Sequence, residues 1–242
     1  LPEAAAITNP KLLPPDHPLA TLSGAGVAYK LAEALTHHAS RITFDPSTLL
    51  DLAALGLIAD LALLTGDTRY LVQRGLETLR KTERVGLQTM MELAELNPAN
   101  LSEEHIAFEL APRLNALGRL ADANPAVELL TTADPGRARL LATQLEGLNA
   151  ERQLLCRQVF AAAQAQVKSD PALLEQPALV LAHPAWPAGV IGIVASQLVE
   201  RYHRPAILFS SPPGEAARGS ARTVEGLNIT AAIAAQHDIL LT

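Results

Sequence analysis

The chain has 242 residues, of which 49% are hydrophobic and 3% aromatic, and its formal net charge is −6. That length holds one large domain or two smaller ones with cores of Leu, Ala, Val and Ile, and leaves few rings on which bases could stack. The acidic total argues against a general duplex-coating protein. The single cysteine, Cys156, excludes an internal disulfide and fits a reducing cytoplasm, and the longest apolar run, Leu52 to Leu64, is too short to span a bilayer and carries Asp60.

The chain opens on Leu1 rather than Met, and Ala4 to Thr8 reads as a short strand that needs neighbours, so we expect a chain cut from a longer protein. After the irregular stretch marked by Pro10, Pro14, Pro15 and Pro18, Ser23 to Leu35 reads as a helix with Val27, Leu31, Ala34 and Leu35 on one face. His37 and His38 at its end tempt a metal reading. Adjacent helical residues point about 100° apart, and a structural or solvent role is expected. Leu49 to Leu64 follows as one strongly apolar element. A carboxylate inside such a run is costly unless partnered, so Asp60 reads either as a metal ligand or as a capping or salt-bridging residue. Gly66 and Asp67 close the element, and Asp67 is placed to cap the next helix.

Short helices fill 86–130. Among them Ala111 to Arg119 puts Arg113, Asn115 and Arg119 within seven residues, at a place where Pro112 and Gly118 disturb the helix. Asp134-Pro135 forms an N-cap and N1 pair, and the proline-free stretch to Lys168 predicts one helix of roughly 50 Å. It reads as a strut between domains, with a groove between them for an elongated ligand. Beyond Gln176 the pattern is strand (Ala178 to Leu181), a turn marked by Gly189 and Gly192, helix, and strand (Pro205 to Phe209). That order predicts a βαβ unit with parallel strands. Gly219-Ser220-Ala221-Arg222 then places a glycine, a hydroxyl and a guanidinium together as a candidate anion grip, which the N–H groups of the helix opening near Gly189 would assist for phosphate. Residues 1–133 carry a net −6, 134–222 a net +2 and 223–242 a net −2, which places any nucleic-acid site in the later half.

Four stretches in this order resemble the bacterial RecJ family, single-strand-specific 5′ exonucleases of the DHH phosphoesterase superfamily. Thr8 to Lys11 with Ser23 to Ala28 looks like the segment just after the family's Asp-His-His motif, and Leu50 to Asp60 is similar to its fourth motif. Ala111 to Arg119 matches its Pro-Arg-Leu-Asn-Ala-x-Gly-Arg string. Gly189 to Ala195, Arg204-Pro205 and Gly219-Ser220-x-Arg222 resemble the DHH-associated domain. The resemblance implies an α/β protein: 1–133 as the helix-rich remainder of a DHH domain, 134–170 as a connecting helix, and 171–242 as an incomplete DHH-associated domain.

It further implies hydrolysis of single-stranded DNA from the 5′ end to 5′-mononucleotides by a two-metal mechanism with Mn²⁺ or Mg²⁺, in DNA repair and recombination. Asp60 would be a catalytic metal ligand. Ser220 and Arg222, with Gly189 and Gly219, would hold the 5′ phosphate, and Arg113, Asn115 and Arg119 would line the strand's path. A single-strand-binding protein is a candidate partner, no membrane is involved, and a monomer is expected. The family's other metal-ligand motifs would lie before Leu1 and its Gly-Gly-His motif after Thr242. Trp186-Pro187 and Thr223 depart from the family pattern. Two other readings stay open: a phosphoesterase acting on dinucleotides or short oligonucleotides, and a non-catalytic module that binds single-stranded DNA.

Overall fold

The computed structural model describes residue 3, residues 6–38 and residues 43–240. The chain divides into two compact units, residues 1–148 and 149–242. The division falls within a single long helix.

In the first unit α1 (Gly24–His38) and α3 (Gly66–Leu79) pack against α2 (Leu50–Ala59), the most apolar of the three. Apart from Asp51, α2 is apolar all round and so is a core helix, and Ala53, Ala54, Leu55, Leu57 and Ile58 are all buried. Glycine and alanine set the spacing on both its sides. A Cβ on Gly75 of α3 would lie 2.3 Å from the Leu50 carbonyl oxygen, and one on Gly56 would lie 2.3 Å from the Ala25 Cβ. This packing corrects the expected face of α1. It docks through Ala25, Gly26 and Tyr29, where small residues let two backbones approach, and leaves Leu31 and Leu35 exposed. His37 and His38 end α1 exposed to solvent.

The apolar run does not continue as one element to Leu64. Asp60 is the C-cap of α2, Leu61 turns into the left-handed region at φ 53°, and the Ala62 N–H closes back on the Leu57 carbonyl at 3.1 Å. This is the helix-ending bond pattern usually built around glycine, here with leucine at its left-handed position. Thr65, not Asp67, takes the cap position of α3. Of the expected N-terminal strand, Ala4 and Ala5 lie outside the described residues. Ala6 to Thr8 are exposed and form no strand.

Then come α4 (Val85–Leu93), α5 (Glu103–His105), a π-helical turn (Ile106–Leu110), α6 (Ala111–Leu120) and α7 (Asn124–Thr131). The π-helical turn ends two residues before Pro112, whose ring nitrogen has no proton to continue the α-helical ladder. The expected long helix is α8 (Pro135–Ser169), 35 residues, with Asp134 capping the Gly136 N–H at 2.8 Å. Its first half gives Ala138, Leu141, Ala142 and Leu145 to the core of the first unit. Its second half buries Cys156, Val159, Ala163 and Val167.

The second unit continues with β1 (Leu179–His183), α9 (Ala188–Tyr202), β2 (Ala206–Ser210), β3 (Arg218–Arg222) and α10 (Ile229–Ala234). β1 and β2 are parallel with Leu181 opposite Leu208, as the βαβ reading requires. β3 adds an antiparallel strand to the free side of β2, with Phe209 opposite Gly219 and Ala206 opposite Arg222.

Candidate functional site

Alternate residues of a strand face opposite sides, and β3 uses both. Ser220 and Arg222 point at α9: a Cβ on Gly192 would stand 2.8 Å from Ser220 Oγ and 3.1 Å from Arg222 Nη2. Arg222 Nη1 donates to Ser220 Oγ at 3.2 Å and to the Ala221 carbonyl at 2.7 Å. Hydroxyl and guanidinium therefore form one polar pair on the helix surface, with the arginine exposed to solvent. Next in the chain, Thr223 Oγ1 is buried without a hydrogen-bond partner among the described residues.

Gly219 faces the other way. A Cβ there would meet Phe209 Cε1 at 2.6 Å, so the residue read as a ligand-approach glycine instead seats an aromatic ring from the neighbouring strand. Gly189 and Gly192, expected in a turn before the helix, are the second and fifth residues of α9. The turn proper is closed by Trp186, which is buried and stacks on His183 with ring centroids 5.7 Å apart.

Asp60 lies in the first unit, exposed at the end of α2. Its carboxylate is not desolvated as the apolar run suggests, because the helix ends here and brings the side chain into water. The buried carboxylate is Asp51, nine residues earlier, with 3% of its side chain exposed. Its Oδ2 accepts from Thr82 Oγ1 at 2.8 Å and from Arg84 Nε at 2.9 Å, and Arg84 also donates to the Thr48 carbonyl. Sequence reasoning passed over Asp51, since its partners lie 31 and 33 residues downstream at no legible spacing.

On α6, Arg113 is engaged from two sides. It donates to the Glu109 carboxylate and carbonyl and, through Nε and Nη2, to Glu146 on α8. Burial pushes its guanidinium pKa down, but the Glu146 and Glu109 carboxylates outweigh that and hold it above the usual arginine value. Asn115 and Arg119 lie one helical turn apart on the exposed side of α6, with Gly118 between them facing open space.

A divalent ion needs several oxygen or nitrogen donors converging on one point. Among the described residues no group of three or more His, Cys, Asp or Glu side chains is so arranged. Asp60 alone does not make a metal site. Among the described residues no helix is long and apolar enough to cross a membrane.

Residues 175–240 match the DHHA1 domain. Over 241 residues the chain is 42% identical to the single-stranded-DNA-specific exonuclease RecJ of Bacillus subtilis, covering 99% of this chain and 30% of that protein. It is 35% identical over 249 residues to the RecJ of Escherichia coli, covering 96% of this chain and 42% of that protein. Among solved structures it resembles Thermus thermophilus RecJ in complex with Mn²⁺, with a TM-score of 0.80 and 34% identity over 96% of this chain and 33% of that one. The chain thus spans less than half the length of the curated relatives it matches.

Proposed function

We propose, for a chain homologous to a portion of RecJ across nearly its whole length, that it is the 5′-end-holding part of a single-strand-specific exonuclease. The whole protein would hydrolyse single-stranded DNA from the 5′ end to 5′-mononucleotides with Mn²⁺ or Mg²⁺, in repair and recombination. Residues 1–133 would belong to the DHH domain, 134–170 would form the connecting helix, and 171–242 the DHH-associated domain.

The observation that carries this reading is the Ser220–Arg222 pair lying over Gly192, inside the DHHA1-matching region. A planar guanidinium with a hydroxyl beside it suits a terminal phosphate, which offers more charge and more acceptor oxygens than an internal diester. Gly192 keeps the helix surface low enough for both groups to converge. Arg119 and Asn115 would contact the passing strand from the exposed side of α6. Arg113, held by Glu109 and Glu146, would brace that helix. Asp60 would contribute one carboxylate to a metal centre whose other ligands come from elsewhere in the whole protein.

The test compares retention of 5′-phosphorylated and 5′-hydroxyl single strands on this chain, with Mn²⁺ present and mononucleotide release followed in parallel. Preference for the 5′ phosphate, lost in Arg222→Ala, is expected, together with binding that weakens as salt rises. Equal retention of the two strands would overturn the assignment of Ser220 and Arg222. Retention without release is expected of the chain alone, and release abolished by Asp60→Ala would show that it completes a metal centre by itself.

A further inference from the structure

The second half of α8 and the outer face of α9, both in the second unit, enclose a shallow groove of about 380 Å³ lined by Arg157, Phe160, Gln197, Glu200 and Arg201. Its composition is unusual for this chain. Phe160 is one of four phenylalanines in 242 residues, and it is half-buried with its surroundings open to solvent. The side chains of Arg157 and Arg201, both exposed, make no hydrogen bond or ion pair with any described residue, although Glu200 stands in the same lining. Elsewhere the long-chain cations are largely engaged: Arg84, Arg113, Arg137 and Arg139 are each in ion pairs. Two guanidiniums, one aromatic ring and a side-chain amide lining the same groove suit a ligand that is flat on one part and anionic on another.

We propose that this groove binds a nucleotide unit, with its base against Phe160, the base edge on the Gln197 amide, and its phosphate between Arg157 and Arg201. The volume lies at the small end of the range for small-ligand pockets, roughly 300–1,000 Å³, and so suits one nucleotide. Base–aromatic stacking and the guanidinium fork on phosphate are the two contacts that single-strand binders combine. Glu200 argues against an acidic peptide as the occupant, since a run of carboxylates would meet it directly, whereas a single phosphate can lie on the arginine side. The unit is either a free mononucleotide or one residue of a longer strand. The lining shares no residue with the Ser220–Arg222 pair, but the choice of a nucleotide over other aromatic phosphates rests on the proposed function.

The experiment uses the 242-residue chain carrying Arg222→Ala, so that the terminal-phosphate grip is removed, in EDTA to prevent hydrolysis. Binding of dAMP is read by saturation-transfer NMR, and binding of a ten-nucleotide 5′-hydroxyl oligo(dA) by fluorescence anisotropy across a salt series. Phe160→Ala should weaken whichever ligand binds by about tenfold, in keeping with the removal of one stacked base. The Arg157→Ala/Arg201→Ala double variant should lower the salt slope for the oligonucleotide by roughly 0.7, the contribution of the one phosphate no longer neutralised. Weakened oligonucleotide binding in these variants, with no dAMP binding in their parent, assigns the groove to the strand, and the reverse assigns it to the mononucleotide. Unchanged affinities for both ligands in correctly melting groove variants would overturn the proposal, as would a glutamate-rich peptide that binds the parent more tightly than either ligand and is released by the same substitutions. The 5′-phosphate preference of the chain with Arg222 intact is measured separately, so either idea can fail alone.

Discussion

Gly192 on α9 lies so close under Ser220 that a Cβ at that position would stand 2.8 Å from the serine Oγ. The same Cβ would meet Arg222 Nη2 at 3.1 Å. Both contacts are with the ends of side chains that can turn away, so the fold should survive Gly192→Ala, and α9 should gain up to about 1 kcal/mol from replacing a helical glycine. The polar pair would be pushed from its place. We expect a melting temperature unchanged or raised and a several-fold loss of 5′-phosphate preference, measured by anisotropy with phosphorylated and unphosphorylated strands. A variant that keeps the preference would separate Gly192 from the site.

Asp51 and Arg84 should behave as a buried pair. In Arg84→Ala the Asp51 carboxylate stays buried with Thr82 as its remaining side-chain donor, and a loss of about 3 kcal/mol is expected. Asp51→Ala should cost less, about 2 kcal/mol, because the arginine it abandons is a quarter exposed and can turn toward water. Urea unfolding of the two variants checks the order. Equal, small losses would mean that the pair is held by its surroundings and contributes little itself.

The contrast between Asp51 and Asp60 shows what the sequence could carry. An apolar run with charges in it announces that a carboxylate must be accommodated, and both aspartates lie in the stretch from Leu50 to Asp60. Which one is desolvated depends on where the helix stops. That is decided by a left-handed leucine, which no propensity predicts, and by an arginine 33 residues away. Local periodicity did reveal α8 with its Asp134 cap and the βαβ order of β1, α9 and β2, because those signals are written in neighbouring residues. β3 was not legible: Arg218 to Arg222 has no run of β-branched residues, and becomes a strand only because β2 offers it an open edge. For the same reason the sequence shows Gly219 as a place where a ligand could approach, and not that Phe209 packs against it.

Tyr29 gives the first unit an alkaline limit. Burial, reinforced by the nearby Glu33 carboxylate, pushes the phenol pKa up to about 12 from an ordinary value of 10. A folded-state pKa above the unfolded one means that the stabilisation is complete below pH 10 and is lost as pH rises from there through 12. Stability measured by urea unfolding at several pH values should therefore fall over this window in the parent and fall much less in Tyr29→Phe. Absorbance at alkaline pH should show one tyrosine titrating late, and that late step should be missing in the variant.

Thr223 presents a choice that one substitution resolves. Its Oγ1 is buried with no partner, one residue after Arg222 in the chain. A buried hydroxyl without a hydrogen bond costs about 1–3 kcal/mol relative to water, while its removal in Thr223→Val preserves shape and leaves no other group stranded. On packing grounds alone the variant should gain about 1 kcal/mol and bind DNA as the parent does. If the hydroxyl is instead kept for the terminal phosphate, the variant gains the same stability but loses affinity for 5′-phosphorylated strands, with no change for 5′-hydroxyl ones. Thermal unfolding together with the paired binding measurement distinguishes these outcomes. We expect the second, because Thr223 directly follows Arg222 in the chain and the fold around it supplies its buried hydroxyl with no partner.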